Sequence, residues 1–162
     1  MDIPSREVLA IASRPTFNPY QVKSILKDNA ESPLTNRALS RYHPGSLFKI
    51  VTAAAALEEN CLDRTKEFEC TGEYKFNEDV SIPCWKEAGH GKISFSEAFA
   101  YSCNPAFIDA AIKISRPGLL DYAQRLNVCD ETLIGYDYHA GSYIKINPGG
   151  PALGNACLGQ QG

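Results

Sequence analysis

Pro44-Gly45 stands immediately before the strongest helix candidate in the chain, Ser46 to Glu59, and this junction constrains the fold more than any other feature. Proline and glycine punctuate the chain there. Apolar Ile50, Val51, Ala54 and Leu57 then recur three or four residues apart, which places them on one helical face. The same junction sets Ser46 three residues before Lys49 at the mouth of the helix, so that hydroxyl and amine face the same way. A serine hydroxyl is a weak nucleophile until a base takes its proton, and an amine held partly out of water is neutral enough to do so. Backbone N–H groups at the helix start favour developing negative charge. The arrangement suits acyl transfer, although serine and lysine at this spacing also arise by chance on solvated helix faces.

With 162 residues, 44% of them hydrophobic, the chain can build one domain with a real core. The formal net charge of -3, with both signs interspersed, excludes the broad positive surface that nucleic acid would require. No apolar run is long enough for a transmembrane helix, and Met1 to Ser5 lacks the basic and apolar regions of a signal peptide. Gly154 to Gly162 is loop-like, which reads as the end of an excised or truncated piece.

Along the chain, Glu7 to Ser13 suits a buried strand, and Asn18-Pro19 opens a short helix to about Lys27. Residues 61–92 lack sustained periodicity and read as an irregular excursion. Ser94-Phe95-Ser96-Glu97 forms a capping box that opens a helix to about Tyr101. Asn104-Pro105 starts another helix through Ile114, with Asn104 as a candidate cap, and Gly118 to Leu126 reads as a third.

Six cysteines are many for a cytosolic enzyme and few for a disulfide scaffold. Cys61, Cys129 and Cys157 are scattered, whereas Cys70, Cys84 and Cys103 accompany His90 in and beside the excursion. Three thiols and an imidazole are a regular tetrahedral ligand set for structural zinc, and an ion would order that loop. The same residues also admit a Cys70–Cys84 disulfide, or free thiols with His90 packed in a glycine turn.

Leu39 to Lys49, with its tyrosine, proline-glycine, serine and phenylalanine-lysine, resembles the signature of penicillin-binding proteins. Ser102-Cys103-Asn104 resembles that family's S-x-N triplet, with Gly89-His90-Gly91 before it and Pro105-Ala106-Phe107 after it. Glu7 to Pro15 is similar to the strand preceding their catalytic region, and Leu158 to Gly162 resembles their G-Q-G turn with an extra glutamine. The resemblance covers essentially the whole chain. It implies an α+β, penicillin-binding/serine β-lactamase-like transpeptidase fold, in which a five-stranded antiparallel sheet meets a helical subdomain. Residues 1–162 would then be the N-terminal part of a class B type transpeptidase domain, holding the leading strand and most of the helical subdomain. No Lys-Thr-Gly or Lys-Ser-Gly motif occurs in the chain, so most of the sheet would be lacking and this piece by itself would be a poor enzyme.

The function implied by the resemblance is D,D-transpeptidation of peptidoglycan stem peptides through an acyl-enzyme on Ser46. Lys49 and Ser102 would handle its proton, and Asn104 would bind the substrate backbone or a β-lactam side chain. The chemistry would require no cofactor, leaving structural zinc on Cys70, Cys84, His90 and Cys103 as the candidate ion. Partners would be stem peptides, β-lactam antibiotics, a glycan polymerase and other wall-synthesis proteins, at the extracytoplasmic face of a bacterial membrane. A β-lactam-sensing receptor, a serine β-lactamase and a non-enzymatic partner-binding domain share enough of the pattern to stand as alternatives.

Overall fold

A computed structural model of the chain describes residues 1–5, 7–27, 32–40, 42–126, 128 and 146–160. Arg41, Cys129, Gln161 and Gly162, which entered the sequence reading, lie outside the described residues. The chain divides into two compact units, Met1–Tyr42 and His43–Gly162.

In the first unit the Asn18 side chain accepts from the Tyr20 N–H, and Pro19 lies in the first turn. Together they open a 3-10 turn, Pro19–Gln21, that continues as α1, Val22–Ile25, where Asn-Pro predicts a helix. The strand expected over Glu7 to Ser13 does not form. Among the described residues it has no ladder partner, and Val8, Leu9 and Ile11 are exposed. A strand needs a neighbour to take its N–H and C=O groups, and local apolar content cannot supply one. Arg37 instead anchors the segment that follows: its N–H donates to Ser13 Oγ at 3.0 Å and its Nε to the Arg14 carbonyl at 2.6 Å.

The second unit begins at the predicted junction. Gly45–Phe48 is a 3-10 turn that runs directly into α2, Lys49–Glu58. The buried face of α2 is not the expected one. Val51, Thr52, Ala53, Ala55 and Ala56 are buried, whereas Ile50 and Leu57 are exposed and Ala54 is half-buried. Small side chains set the closest approach between helices, so Ala55 and Ala56 face the neighbouring helix although bulkier residues lie on the opposite side. Thr52 Oγ1 is satisfied within this seam, donating to the Phe48 and Cys157 carbonyls at 3.4 and 3.3 Å.

Helix α3, Phe95–Ala100, carries the predicted capping box, with Ser94 accepting from the Glu97 N–H and the Glu97 carboxylate accepting from the Ser94 N–H. Helix α4, Asn104–Arg125, is broken at Ser115, where φ is 70°, so the two helices expected on either side of that point are present. Phe107, Ile108 and Leu119 of α4 are fully buried, and α4 packs against both α2 and α5, Gly150–Cys157.

The excursion is more ordered than its sequence suggests. It holds β1, Glu67–Cys70, β2, Glu73–Lys75, and β3, Ser81–Pro83, and leads into β4, Gly91–Ser94. β1 pairs antiparallel with β4, placing Cys70 opposite Gly91, and β2 pairs with β3, placing Glu73 opposite Pro83. Strands of three or four residues are too short to register as periodicity, which is why the segment reads as irregular. The two ladders deliver Cys70, Cys84 and His90 to one place.

Candidate active site and cysteine cluster

Ser46 lies in the 3-10 turn and Lys49 begins α2, while Ser102 and Asn104 come from the junction of α3 and α4. These residues converge. Lys49 Nζ donates to the Ser102 carbonyl at 2.8 Å, to Ser102 Oγ at 2.9 Å and to Asn104 Oδ1 at 2.7 Å. Ser102 Oγ in turn donates to Ser46 Oγ at 3.1 Å. The described hydrogen bonds therefore link the Ser46 hydroxyl and the Lys49 amine through Ser102, where the spacing alone suggests direct contact. Lys49 is 3% exposed, and its amine also lies 5.5 Å from the centre of the Phe107 ring. Burial pushes its pKa below the ordinary lysine value, opposed by the sulfurs of Cys157, Cys103 and Cys84.

The Ser102 backbone explains how one residue presents two acceptors to Lys49. Helix α3 ends with the Ser102 N–H on the Phe99 carbonyl and the Cys103 N–H on the Ala98 carbonyl, at 3.1 and 2.9 Å. These are the paired bonds of a Schellman cap, in which the residue after the helix is left-handed and usually glycine. Here it is serine, at φ 52°. A side chain in that conformation is strained, and strain of this kind concentrates at functional positions. Serine at a glycine position is the sequence signal that helix reading passes over.

Asn104 does not cap α4. The N-cap is Cys103, with no side-chain cap bond, and both ends of the Asn104 amide point elsewhere, Oδ1 to Lys49 and Nδ2 to the Pro83 carbonyl at 2.9 Å. Trp85, absent from the sequence-derived site, donates from Nε1 to the Tyr101 carbonyl at 2.8 Å. On the other side of Ser46, the Gly45 N–H donates to the Gly159 carbonyl at 3.1 Å. Gly159 has φ 68°, and a Cβ there would stand 2.3 Å from the Gly45 carbonyl oxygen, so only glycine lets the two backbones meet.

Cys70, Cys84, His90 and Cys103 bring their ligand atoms within 4.8 Å of one another. Cys84 Sγ lies 3.6 Å from His90 Nδ1. The N···S edge of a zinc tetrahedron, built from bonds of about 2.3 Å to sulfur and 2.0–2.1 Å to nitrogen, is also about 3.6 Å. These two residues thus already sit at ligand separation. All the described cysteines, Cys70 and Cys84 among them, are free thiols. Burial works against ionisation of Cys70, but N–H groups of His90 and Gly72, together with the Cys103 and Cys84 thiols, outweigh it and lower its pKa. Cys103 is pushed up to about 12, chiefly by burial. Burial first, then the Lys86 and Lys49 charges, lowers the His90 pKa and favours the neutral imidazole that a metal requires. The donor set and its geometry fit zinc.

Residues 1–153 match the family described as penicillin binding protein transpeptidase domain, and the chain belongs to that family. It is 32% identical to peptidoglycan D,D-transpeptidase PbpA of Mycobacterium tuberculosis, over 96% of this chain and 35% of that protein. It is 34% identical to stage V sporulation protein D of Bacillus subtilis, over 72% of this chain and 18% of that one. The chain thus spans about a third or less of the length of these relatives. Penicillin-binding protein A of M. tuberculosis, solved as a ceftriaxone acyl-enzyme complex, superposes with a TM-score of 0.82 at 30% identity, covering 94% of this chain and 38% of that one. The transpeptidase fold expected from the sequence is the one observed.

Proposed function

We propose that the protein carrying this chain is a peptidoglycan D,D-transpeptidase that acts through an acyl-enzyme on Ser46 and is acylated there by β-lactams. The hydrogen-bonded series Ser46, Ser102 and Lys49 is the observation that carries this reading. The M. tuberculosis relatives, one named a D,D-transpeptidase and one solved as a β-lactam acyl-enzyme, support it.

In the reactive state Lys49 is neutral and its lone pair faces Ser102 Oγ. Ser46 gives its proton to Ser102, which passes its own to Lys49, as Ser46 Oγ bonds to the carbonyl carbon of the D-alanyl-D-alanine amide. The tetrahedral adduct collapses, the C–N bond breaks, and the leaving D-alanine amine takes the proton back along the same route. An amine of a second stem peptide then attacks the ester and loses its proton through Ser102 to Lys49. The acyl C–O bond breaks as the new peptide bond forms, and a proton returns through Ser102 to Ser46 Oγ, restoring the free serine and the neutral lysine. The Ser46 N–H, in the first turn of its helix, would receive the developing oxyanion. The Asn104 amide retains one N–H for a substrate carbonyl once Pro83 and Lys49 are satisfied. The reaction places the protein at the extracytoplasmic face of the cell membrane, where its stem-peptide substrate lies.

Structural zinc on Cys70, Cys84, His90 and Cys103 is part of the same proposal. When bound, the ion would supply a rigid cross-link and no chemistry, fixing Cys103 between Ser102 and Asn104.

The deciding experiment is mass spectrometry of the full-length protein after incubation with a penicillin. The adduct is expected on the peptide containing Ser46 and is expected to be lost in Ser46→Ala. An adduct elsewhere, or none, overturns the reading.

A further inference from the structure

Trp85 is the chain's only tryptophan and is 65% exposed, so burial of its ring does not explain its place. Its indole is nonetheless fixed. Nε1 donates to the Tyr101 carbonyl at 2.8 Å, and the ring meets His90 edge-on, with centroids 5.3 Å apart. His90 in turn stacks on Tyr101, their planes 3° from parallel.

The Tyr101 carbonyl belongs to the peptide plane whose other polar group is the Ser102 N–H, and that N–H is already held by the Phe99 carbonyl at 3.1 Å. With both groups tied, the plane cannot turn, and Ser102 stays at φ 52°. Glycine would rest in that conformation unaided, whereas serine is strained there and gains from an outside restraint. Two residues before Trp85, the Pro83 carbonyl accepts from Asn104 Nδ2 at 2.9 Å. The segment Pro83–Trp85 therefore grips the S-x-N turn on both sides of Ser102.

We propose that Trp85 is a positioning residue for acyl transfer: its indole N–H holds the Tyr101 carbonyl so that the Ser102 hydroxyl stays between Ser46 and Lys49. The proposal rests on the transpeptidase reading and adds a residue outside the reacting groups.

The test uses the full-length protein and a fluorescent penicillin, measuring the limiting acylation rate and the half-saturating concentration separately. Trp85→Phe keeps a ring and loses the N–H. Benzothienylalanine at position 85 keeps the bicyclic shape and also loses it. Both are expected to lower the limiting rate about three- to tenfold, the worth of one hydrogen bond, with half-saturation unchanged. In a Ser102→Gly background Trp85→Phe is expected to cause no further loss, because there is no serine side chain left to aim. Thermal melting and zinc content should match the parent protein. A limiting rate unchanged by both replacements, a loss confined to half-saturation, or a full additional loss in the Ser102→Gly background each overturns the proposal. Absence of a Ser46 adduct in the unmutated protein would instead overturn the transpeptidase reading, and this inference with it.

Discussion

Lys49 Nζ reaches Ser102 through two atoms at once, the carbonyl at 2.8 Å and Oγ at 2.9 Å, and Asn104 Oδ1 takes its third hydrogen at 2.7 Å. An ammonium with three acceptors is fully satisfied and cannot receive a proton. In the proposed mechanism, attack by Ser46 therefore requires Lys49 to lose a proton first. The carbonyl and the amide oxygen are acceptors only and keep the two remaining hydrogens, so the lone pair is left facing Ser102 Oγ, the one member of the set that can reverse its role.

This geometry sets a pH dependence. Burial lowers the Lys49 pKa, so the neutral, reactive fraction grows as pH rises towards that lowered value and levels off above it. The acylation rate of the full-length protein by a penicillin is expected to climb with rising pH, with a midpoint below that of a free lysine. A rate that falls over the same range, after correction for antibiotic hydrolysis, would remove Lys49 from the base role.

Ser102 should show opposite effects on stability and rate. Ser102→Gly relieves the left-handed strain and deletes the relay hydroxyl. Stability measured by denaturant melting is expected to be unchanged or up to about 1 kcal/mol higher. Acylation is expected to fall by about a hundredfold or more, the usual scale of a lost proton-transfer group. A variant that is both active and destabilised would contradict the relay.

Local chemistry made part of this legible in advance. The Ser94–Glu97 capping box, the helix start after Pro44-Gly45 and the break following Ile114 all follow from residues acting on their immediate neighbours. What failed depends on partners distant in sequence. Ile50 and Leu57 are bulky apolar residues of α2 and stay exposed, whereas Ala55 and Ala56 are buried with Val51, because packing against α4 rewards small size. Glu7 to Ser13 has the composition of a strand without a ladder. Asn104 looks like a helix cap until Lys49, from another helix, claims its oxygen. Trp85 carries no periodic or motif signal, and only the fold brings it to Tyr101.

Gly159 offers a test of how closely Ser46 is held from behind. In Gly159→Ala the new Cβ would meet Gly45 backbone atoms at 2.3 and 2.6 Å, and φ 68° disfavours alanine independently. Backbone cannot yield as a flexible side chain does, so Gly45 and the adjoining Ser46 must shift. A displacement of the nucleophile by about an ångström can cost on the order of a hundredfold in rate. Labelling by a fluorescent penicillin should slow by at least tenfold, with a lower melting temperature. Normal labelling would show that the Gly45–Gly159 contact does not position Ser46.

The cysteine cluster makes the most separable prediction, because the metal and the acylation chemistry can be measured independently. Cys84 Sγ and His90 Nδ1 already stand 3.6 Å apart, and all four ligand atoms lie within 4.8 Å, so binding requires only a small contraction of the cluster. Protein purified without added metal is expected to hold close to one equivalent of zinc by elemental analysis. Cys103→Ser and His90→Ala should each lower that content. Since Cys103 lies between Ser102 and Asn104, Cys103→Ser should also slow acylation, by about tenfold. His90→Ala spares the turn's own sequence, so any matching loss in that variant is transmitted through the ion and the Trp85–His90–Tyr101 stack. Zinc below a tenth of an equivalent in protein whose thiols titrate as reduced would refute the metal site. It would leave the Ser46–Ser102–Lys49 relay standing on its own geometry.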